Sequence, residues 1–356
     1  MRIVIATDAW RPQVNGVVHS LERMAAAARA LGADCEFLTP QGFPSLPLPT
    51  YPDVRLAIAF PRAVGRRIER SAPDHVHIAT EGPIGLATRL YCREKGRSFT
   101  TSYHTRFPEY IRARAPIPES VAYALLRRFH APAAALMAPT PSMRDELVKR
   151  RFARVCVWSR GVDHALFHPR ASRALDLPRP IFLYVGRIAV EKNLPALLRL
   201  SLPGSLVIVG DGPARSGLQS AYPHAHFLGA RSGEELAEIY ASADVFVFPS
   251  RTDTFGIVLL EALASGLPVA AFPVPGPLDV IGESGAGALC EDLRLACLEA
   301  LTIPRALAHA RSLQFTWTES ARQFLSNIEA SRGWRRSPSS ASSGEQAIAR
   351  VSRVAR

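Results

Sequence analysis

The stretch Val245-Phe-Val-Phe-Pro-Ser-Arg-Thr-Asp253-Thr-Phe-Gly256-Ile-Val-Leu-Leu-Glu261-Ala-Leu-Ala264 decides the fold. Four consecutive apolar residues, Val245–Phe248, read as a strand covered on both faces, because a strand with one wet face would alternate. Pro249 and the polar residues behind it end that strand, and a helix starts at Gly256–Ile257 and runs to Ala264. Strand, loop and helix in this order make one step of a doubly wound parallel sheet.

The same alternation extends in both directions. Strands are expected at Arg2–Thr7, Cys35–Thr39, His75–Ile78, Ser98–Tyr103, Ala135–Pro139 and Val155–Ser159. A second series follows at Ile181–Val185, Ser205–Val209, Ala225–Leu228, Val245–Phe248 and Pro268–Phe272. Amphipathic segments lie between them, at Val17–Leu31, Gly85–Lys95, Met143–Arg151, Glu234–Ser242 and Ile257–Ala264. The class is therefore α/β, with two doubly wound Rossmann-like domains, as a chain of 356 residues allows. The proline-rich, poorly periodic stretch Phe167–Pro180 marks the boundary, giving expected domains over 1–168 and 169–330. The serine- and arginine-rich remainder, 331–356, is expected to be a disordered basic tail. Two such sheets imply an interdomain cleft, with ligands at the carboxyl ends of the strands.

The net charge of +12 raises nucleic acid, anionic lipid and phosphorylated substrates as partners. Only Lys95, Lys149 and Lys192 are lysines, and so lopsided an arginine excess also fits a compositional bias. No zinc module or RNA-recognition signature occurs, so nucleic acid is not an expected partner. The five cysteines form no C-x-x-C pair, which suits a reduced, cytoplasmic protein. Phe255–Leu278 is long and mostly apolar, but four prolines and Glu261 make it helix, turn, strand and loop instead of a membrane span.

Three segments carry chemistry. Gly186-Arg187 ends a strand and Glu191-Lys192-Asn193 opens the following helix, an arrangement that suits a diphosphate. Gly210-Asp-Gly-Pro213 ends the next strand, where glycines permit close approach to the backbone. Asp253 and Glu261 flank a helix start, and carboxylates are natural acceptors for vicinal sugar hydroxyls. The other reading of Asp253 is an N-cap, and of Glu261 a solvated helical residue, though an apolar helix face gives no reason for Glu261.

With Gln13-Val-Asn-Gly16-Val, His104, Gly186-Arg187, Lys192, Gly210-Asp-Gly-Pro213 and this acid-x7-acid segment in order, the chain resembles glycosyltransferase family 4. The resemblance runs from Met1 to about Ala330 and implies the GT-B fold and retaining transfer from a nucleotide sugar. Asp253 stands where the family's first acid is usually glutamate. The resemblance implies that Arg187 and Lys192 hold the donor diphosphate, while Glu261 binds the ribose. Asp253, with Thr254, Phe255, Gly256 and Ile257, would grip the transferred sugar. Gly186 and Gly210 would line the donor site, and backbone near Leu228 and Ala230 would meet the base. Gly16 would approach the donor phosphate, and His104 the sugar near its reacting carbon.

None of the twelve aspartates forms a D-x-D pair, so no metal cofactor is expected; the two cations would replace it. Within the family, Thr7–Gly16 and Tyr103–Tyr110 resemble GDP-mannose-dependent α-mannosyltransferases and enzymes that glycosylate diacylglycerol from UDP-sugars. The expected partners are a GDP- or UDP-linked sugar and a lipid or glycan acceptor. Arginines interleave with apolar residues in Phe60–Arg70, Arg106–Arg114 and Tyr123–Phe129, which suits an anionic membrane surface. A location peripheral to the inner face of the cytoplasmic membrane is the matching expectation. The expected reaction is retaining transfer of a hexose, mannose-type, to that acceptor; the alternatives are a UDP-sugar-dependent diacylglycerol glycosyltransferase and, behind it, a GT-B sugar-nucleotide epimerase.

Overall fold

A computed structural model describes residues 1–11, 16–48, 51–112 and 118–333. Gln13, Val14, Asn15, Arg114 and the tail from residue 334 onward lie outside the described residues.

The first domain carries β1 (Arg2–Ala6), β2 (Asp34–Leu38), β3 (Ser45–Leu48), β4 (Tyr51–Ala57), β5 (His75–Ile78), β6 (Phe99–Ser102), β7 (Leu136–Ala138) and β8 (Val155–Val157). Six of these make one parallel sheet in the order β2-β1-β5-β6-β7-β8. The second domain carries β9 (Ile181–Val185), β10 (Ser205–Val209), β11 (His226–Gly229), β12 (Val245–Phe248), β13 (Val269–Ala271) and β14 (Gly287–Leu289). Its six-stranded parallel sheet runs β11-β10-β9-β12-β13-β14. Strand order therefore reverses between β1 and β5 in the first sheet, and between β9 and β12 in the second. A crevice opens at such a reversal, because the helices on either side leave in opposite directions.

Two-sided burial explains the strand sequences. Ile181, Leu183 and Val185 of β9 face one core with Leu259, Leu260 and Phe246. Phe182 and Tyr184 face the other, with Leu194, Leu197 and Ile208. The expected span Phe255–Leu278 is a helix (Ile257–Ala264), a turn, β13 and a loop. Among the described residues no helix is long and apolar enough to cross a membrane.

Four features differ from the expectation. β3 and β4 form an antiparallel hairpin between β2 and the helix Pro61–Ser71. Its prolines hide it from periodicity, and the ladder accommodates Pro47 at a register shift. The short β14 was also not anticipated, since Gly287-Ala-Leu289 has too little apolar length to stand out. The stretch 167–180 is no free linker: Phe167 and Leu175 are buried in the second core, and Arg170 and Arg179 pair with Glu234 and Asp244.

The last helix, Trp317–Ser331, is the fourth difference, because sequence order puts it with the second domain. Its buried face, with Trp317, Ala321, Phe324 and Ile328, lies instead in the first domain's core beside Ile3, Ile5, Leu21 and Trp158. Trp158 Nε1 donates to Ser320 Oγ at 3.1 Å and Asn327 Nδ2 to the Val157 carbonyl at 2.8 Å. The chain thus crosses between domains twice, near Ser159–Val162 and near Thr316. The two crossings touch: Val162 bridges Thr316, and a Cβ on Gly161 would meet Trp317 N at 2.3 Å.

Candidate functional site

The site forms at the reversal point of the second sheet, where the first domain meets it through the loop after β6 and the start of its first helix. In the second domain, the loop after β9 and the loop after β12 are tied together. Asn193 Nδ2 donates to the Pro249 carbonyl at 3.1 Å, and Thr252 Oγ1 to the Glu191 carbonyl at 3.2 Å. That brace brings Lys192 Nζ within 2.5 Å of Asp253 Oδ1. Both side chains are largely buried, at 20% and 14% exposure. Asp253 Oδ2 is buried and has no hydrogen-bond partner. A buried carboxylate oxygen left unpaired is costly, and a ligand hydroxyl would satisfy it.

Asp253 is therefore not a helix cap. The cap is Gly256, whose φ of 82° only glycine adopts without strain. Lys192 sits in a three-residue 3₁₀ turn, Val190–Lys192, ahead of a five-residue helix, Leu194–Leu198. A helix that short adds little dipole, which corrects the expected helix-end contribution to diphosphate binding. Arg187, two residues past the end of β9, is exposed.

Glu261 lies behind Asp253 on the helix Ile257–Ala264. Its Oε2 accepts from the Tyr240 hydroxyl at 3.0 Å. Burial pushes its carboxyl up to about 7, against the opposing pull of that hydrogen bond. Tyr240, fully buried against Phe167 and Phe246, was not legible as a site residue, because on the helix Gly233–Ser242 it follows the apolar stripe of a core position.

The glycines divide by role. A Cβ on Gly210 would sit 1.9 Å from the Gly186 carbonyl oxygen, so the ends of β9 and β10 meet backbone to backbone. Gly210 thus serves strand packing, where the sequence suggested room for a ligand. Gly186 N in turn donates to the Val209 carbonyl at 3.0 Å, and Gly210 N to the Gly229 carbonyl at 2.8 Å. Leu228 and the exposed Ala230 flank Gly229 at the end of β11, next to that pair. Phe255 turns its ring into the second core against Phe315.

The first domain closes over this platform. Thr254 Oγ1 donates to the His104 carbonyl across the cleft at 2.7 Å. A Cβ on Gly16 would lie 3.6 Å from Ile257 Cδ1, so the first helix of the first domain starts against the helix that carries Glu261. Ser142 N and Oγ donate to Asp279 Oδ1 at 3.1 and 3.0 Å. The His104 ring points back into its own domain, with Nε2 2.9 Å from Ser102 Oγ and Nδ1 3.1 Å from Arg160 Nη2. Both ring nitrogens are engaged there, so the part of His104 turned to the second domain is its carbonyl. Burial and the Arg160 charge hold its pKa well below the ordinary histidine range.

Several arginines of the expected basic surface are structural. Arg106 is buried and pairs bidentately with Glu146 at 2.5 and 3.2 Å. Arg67 stacks 4.0 Å above the Phe43 ring. Arg62, Arg66 and Arg70 remain exposed along the helix Pro61–Ser71.

Residues 14–166 match Glycosyltransferase Family 4, and residues 179–302 match Glycosyl transferases group 1. A GDP-mannose-dependent alpha-mannosyltransferase of Mycobacterium tuberculosis is 35% identical over 315 residues, 81% of this chain and 83% of that protein. The chain belongs to glycosyltransferase family 4.

Other relatives of this transferase span a range of sugars. An alpha-monoglucosyldiacylglycerol synthase of Streptococcus pneumoniae is 28% identical over 85% of the chain and 78% of that protein. Among solved structures, a sucrose-phosphate synthase from Thermosynechococcus elongatus superposes with a TM-score of 0.73, at 19% identity, over 92% of this chain and 98% of that one. Anabaena Alr3699/HepE, solved with UDP and glucose, has a TM-score of 0.70 at 15% identity, over 93% and 100% of the two chains. The transferase thus has the two-domain GT-B fold.

Proposed function

We propose that this transferase moves a hexose, mannose-type, from a nucleotide sugar to a membrane lipid or glycolipid, retaining the anomeric configuration and using no metal. The observation that carries the reading is the buried Lys192–Asp253 pair with its unsatisfied Asp253 Oδ2, closed over by the His104 carbonyl through Thr254.

In this reading the donor lies across the end of the second sheet. Lys192 and Arg187 bring two positive charges to the diphosphate and neutralise it. Asp253 Oδ2 accepts a sugar hydroxyl. Tyr240 occupies one oxygen of Glu261, and the other accepts from the ribose. Backbone around Gly186, Thr254, Phe255, Gly256 and Ile257 completes the donor cradle, Leu228 and Ala230 reach the base, and Gly16 approaches the phosphates from the first domain. The bond from the anomeric carbon to the phosphate oxygen breaks, and its electron pair leaves with the diphosphate. The acceptor hydroxyl attacks the same carbon from the same face and gives its proton to the departing phosphate oxygen. A retaining glycosidase would place a second carboxylate about 5 Å from the first as nucleophile. Asp253 instead faces a lysine, which supports leaving-group stabilisation over a covalent intermediate.

The mannosyltransferase relatives support GDP-mannose as donor and the diacylglycerol-directed relative supports a lipid acceptor, with a UDP-sugar as the alternative donor. Exposed Phe60, Leu46 and Ile58 beside Arg62, Arg66 and Arg70 support a peripheral seat on anionic lipid. The test is transfer of radiolabelled sugar from GDP-mannose, UDP-glucose and UDP-galactose to extracted lipid, with and without EDTA. Lipid-linked label with the donor's anomeric configuration, unaffected by EDTA, is expected. Interconversion of the free nucleotide sugar without transfer would mean an epimerase, and loss on chelation would end the metal-free mechanism.

A further inference from the structure

Arg160 is a buried guanidinium with no carboxylate beside it among the described residues. It is 4% exposed, and no Asp or Glu among the described residues lies within ion-pair distance. Its Nη1 donates to the Trp158 and Ser159 carbonyls at 2.6 and 3.1 Å, and its carbon centre lies 4.2 Å from the Trp158 ring. Burial alone pulls its pKa down to about 9. A fold that buries a cation against neutral acceptors incurs a desolvation cost, so the contacts the cation makes there bear on what it is for. Its Nη2 meets His104 Nδ1 at 3.1 Å.

The contact has a consequence that runs through the sheet. Arginine donates and never accepts, so His104 Nδ1 must be the bare nitrogen and Nε2 must carry the proton. That proton goes to Ser102 Oγ at 2.9 Å. The Ser102 hydroxyl then has its own single proton for His77 Nε2 at 3.0 Å. His77 therefore donates from Nδ1 to Thr100 Oγ1 at 2.9 Å, and Thr100 donates to His75 Nε2 at 2.9 Å. Burial holds His104 and His77 well below the ordinary range and His75 at about 3, so all three rings are neutral and each has one proton to place. One non-accepting group at the cleft end orients five hydrogen bonds in sequence.

We propose that Arg160 is a positioning residue: it fixes His104 as the neutral Nε2–H tautomer and so holds the His104 backbone carbonyl on Thr254 over the reacting sugar. The arrangement keeps an uncharged imidazole behind the carbonyl that faces a sugar becoming cation-like, with the Arg160 charge on the far side of that ring. The catalytic half of this inference rests on the proposed transfer reaction; the tautomer half does not.

The test uses the full chain labelled with ¹⁵N-histidine. Two-bond ¹H–¹⁵N correlation near neutral pH should show His104 with bare Nδ1 and protonated Nε2. In Arg160→Met that tautomer should be lost, with kcat lowered on the order of 10²-fold, as misplacement of a positioned group costs, and donor KM little changed. Arg160→Lys, which restores a donor, should regain the tautomer and most of kcat. Ser102→Ala cuts the chain from the other side and should leave His104 Nδ1 bare. An unchanged tautomer in Arg160→Met, or a tautomer that switches in Ser102→Ala, would overturn the assignment even if one variant folds poorly. A kcat loss in Arg160→Met with the wild-type tautomer retained would overturn it as well. If the wild type transfers no sugar, the functional reading fails while the tautomer result still decides the assignment.

Discussion

Replacing Glu261 with glutamine should stabilise the ligand-free transferase in a pH-dependent way. The carboxyl is buried, its ordinary value is 4.5, and the fold raises it to about 7. Between those values the folded chain holds a proton that the unfolded chain has released, so stability falls as pH rises from about 4.5 to about 7 and the full cost persists above. A carboxyl raised from 4.5 to about 7 costs about 3 kcal/mol near pH 8 and less than about 1 kcal/mol near pH 5. Glutamine is isosteric, keeps an oxygen for the Tyr240 hydroxyl, and carries no charge to desolvate. The assay is urea unfolding of the apo-protein at both pH values. At an m-value of about 3 kcal/mol/M, the variant's midpoint should rise by about 1 M near pH 8 and barely move near pH 5. The same variant should bind donor more weakly, because a hydrogen bond to a charged acceptor contributes about 1.5–3 kcal/mol. Equal stabilisation at the two pH values, or none, would refute the claim that the fold strains this carboxylate in order to present it to a ligand.

Lys192→Ala should lower kcat on the order of 10²–10³-fold, the usual loss on removing one stabilising donor, and steady-state transfer assays on folded protein check it. Near-normal turnover would remove Lys192 from the proposed site. Phe324→Ala should destabilise the first domain by about 3–5 kcal/mol, since this fully buried ring packs 4.9 Å from His77 and 4.8 Å from Trp158. Hydrogen exchange should show the loss in β1 and β5, although the residue follows the second domain in sequence.

The fold was legible wherever burial is two-sided. Ile181–Val185 and Val245–Phe248 are continuous apolar runs, Ser205–Val209 is one after its first residue, and the structure has strands with those bounds and at His75–Ile78, where Val and Ile alternate with buried histidines. The hairpin β3–β4 was not, because prolines erase the alternation that marks a strand. The candidate-site residues were legible through type and order, a lysine in the loop after one strand and two acids after another, and the structure brings Lys192 and Asp253 together. Phe255 and Gly210 were legible as positions but not in purpose, since the buried ring and the backbone-on-backbone contact depend on neighbours far along the chain.

By itself the sequence determined two doubly wound domains, their strand series and the cations and carboxylates at the ends of β9 and β12, because periodicity, glycine and charge act over a few residues. Tertiary structure alone decided that Lys192 pairs with Asp253, that Tyr240 holds Glu261, and that the helix Trp317–Ser331 returns to the first domain. It also decided that His104 turns its ring inward to Arg160 and its carbonyl outward to Thr254. Each of these joins residues 21 to more than 150 positions apart. Such contacts depend on which sheet edges and helix faces meet once both cores have closed, and local patterning carries no trace of that.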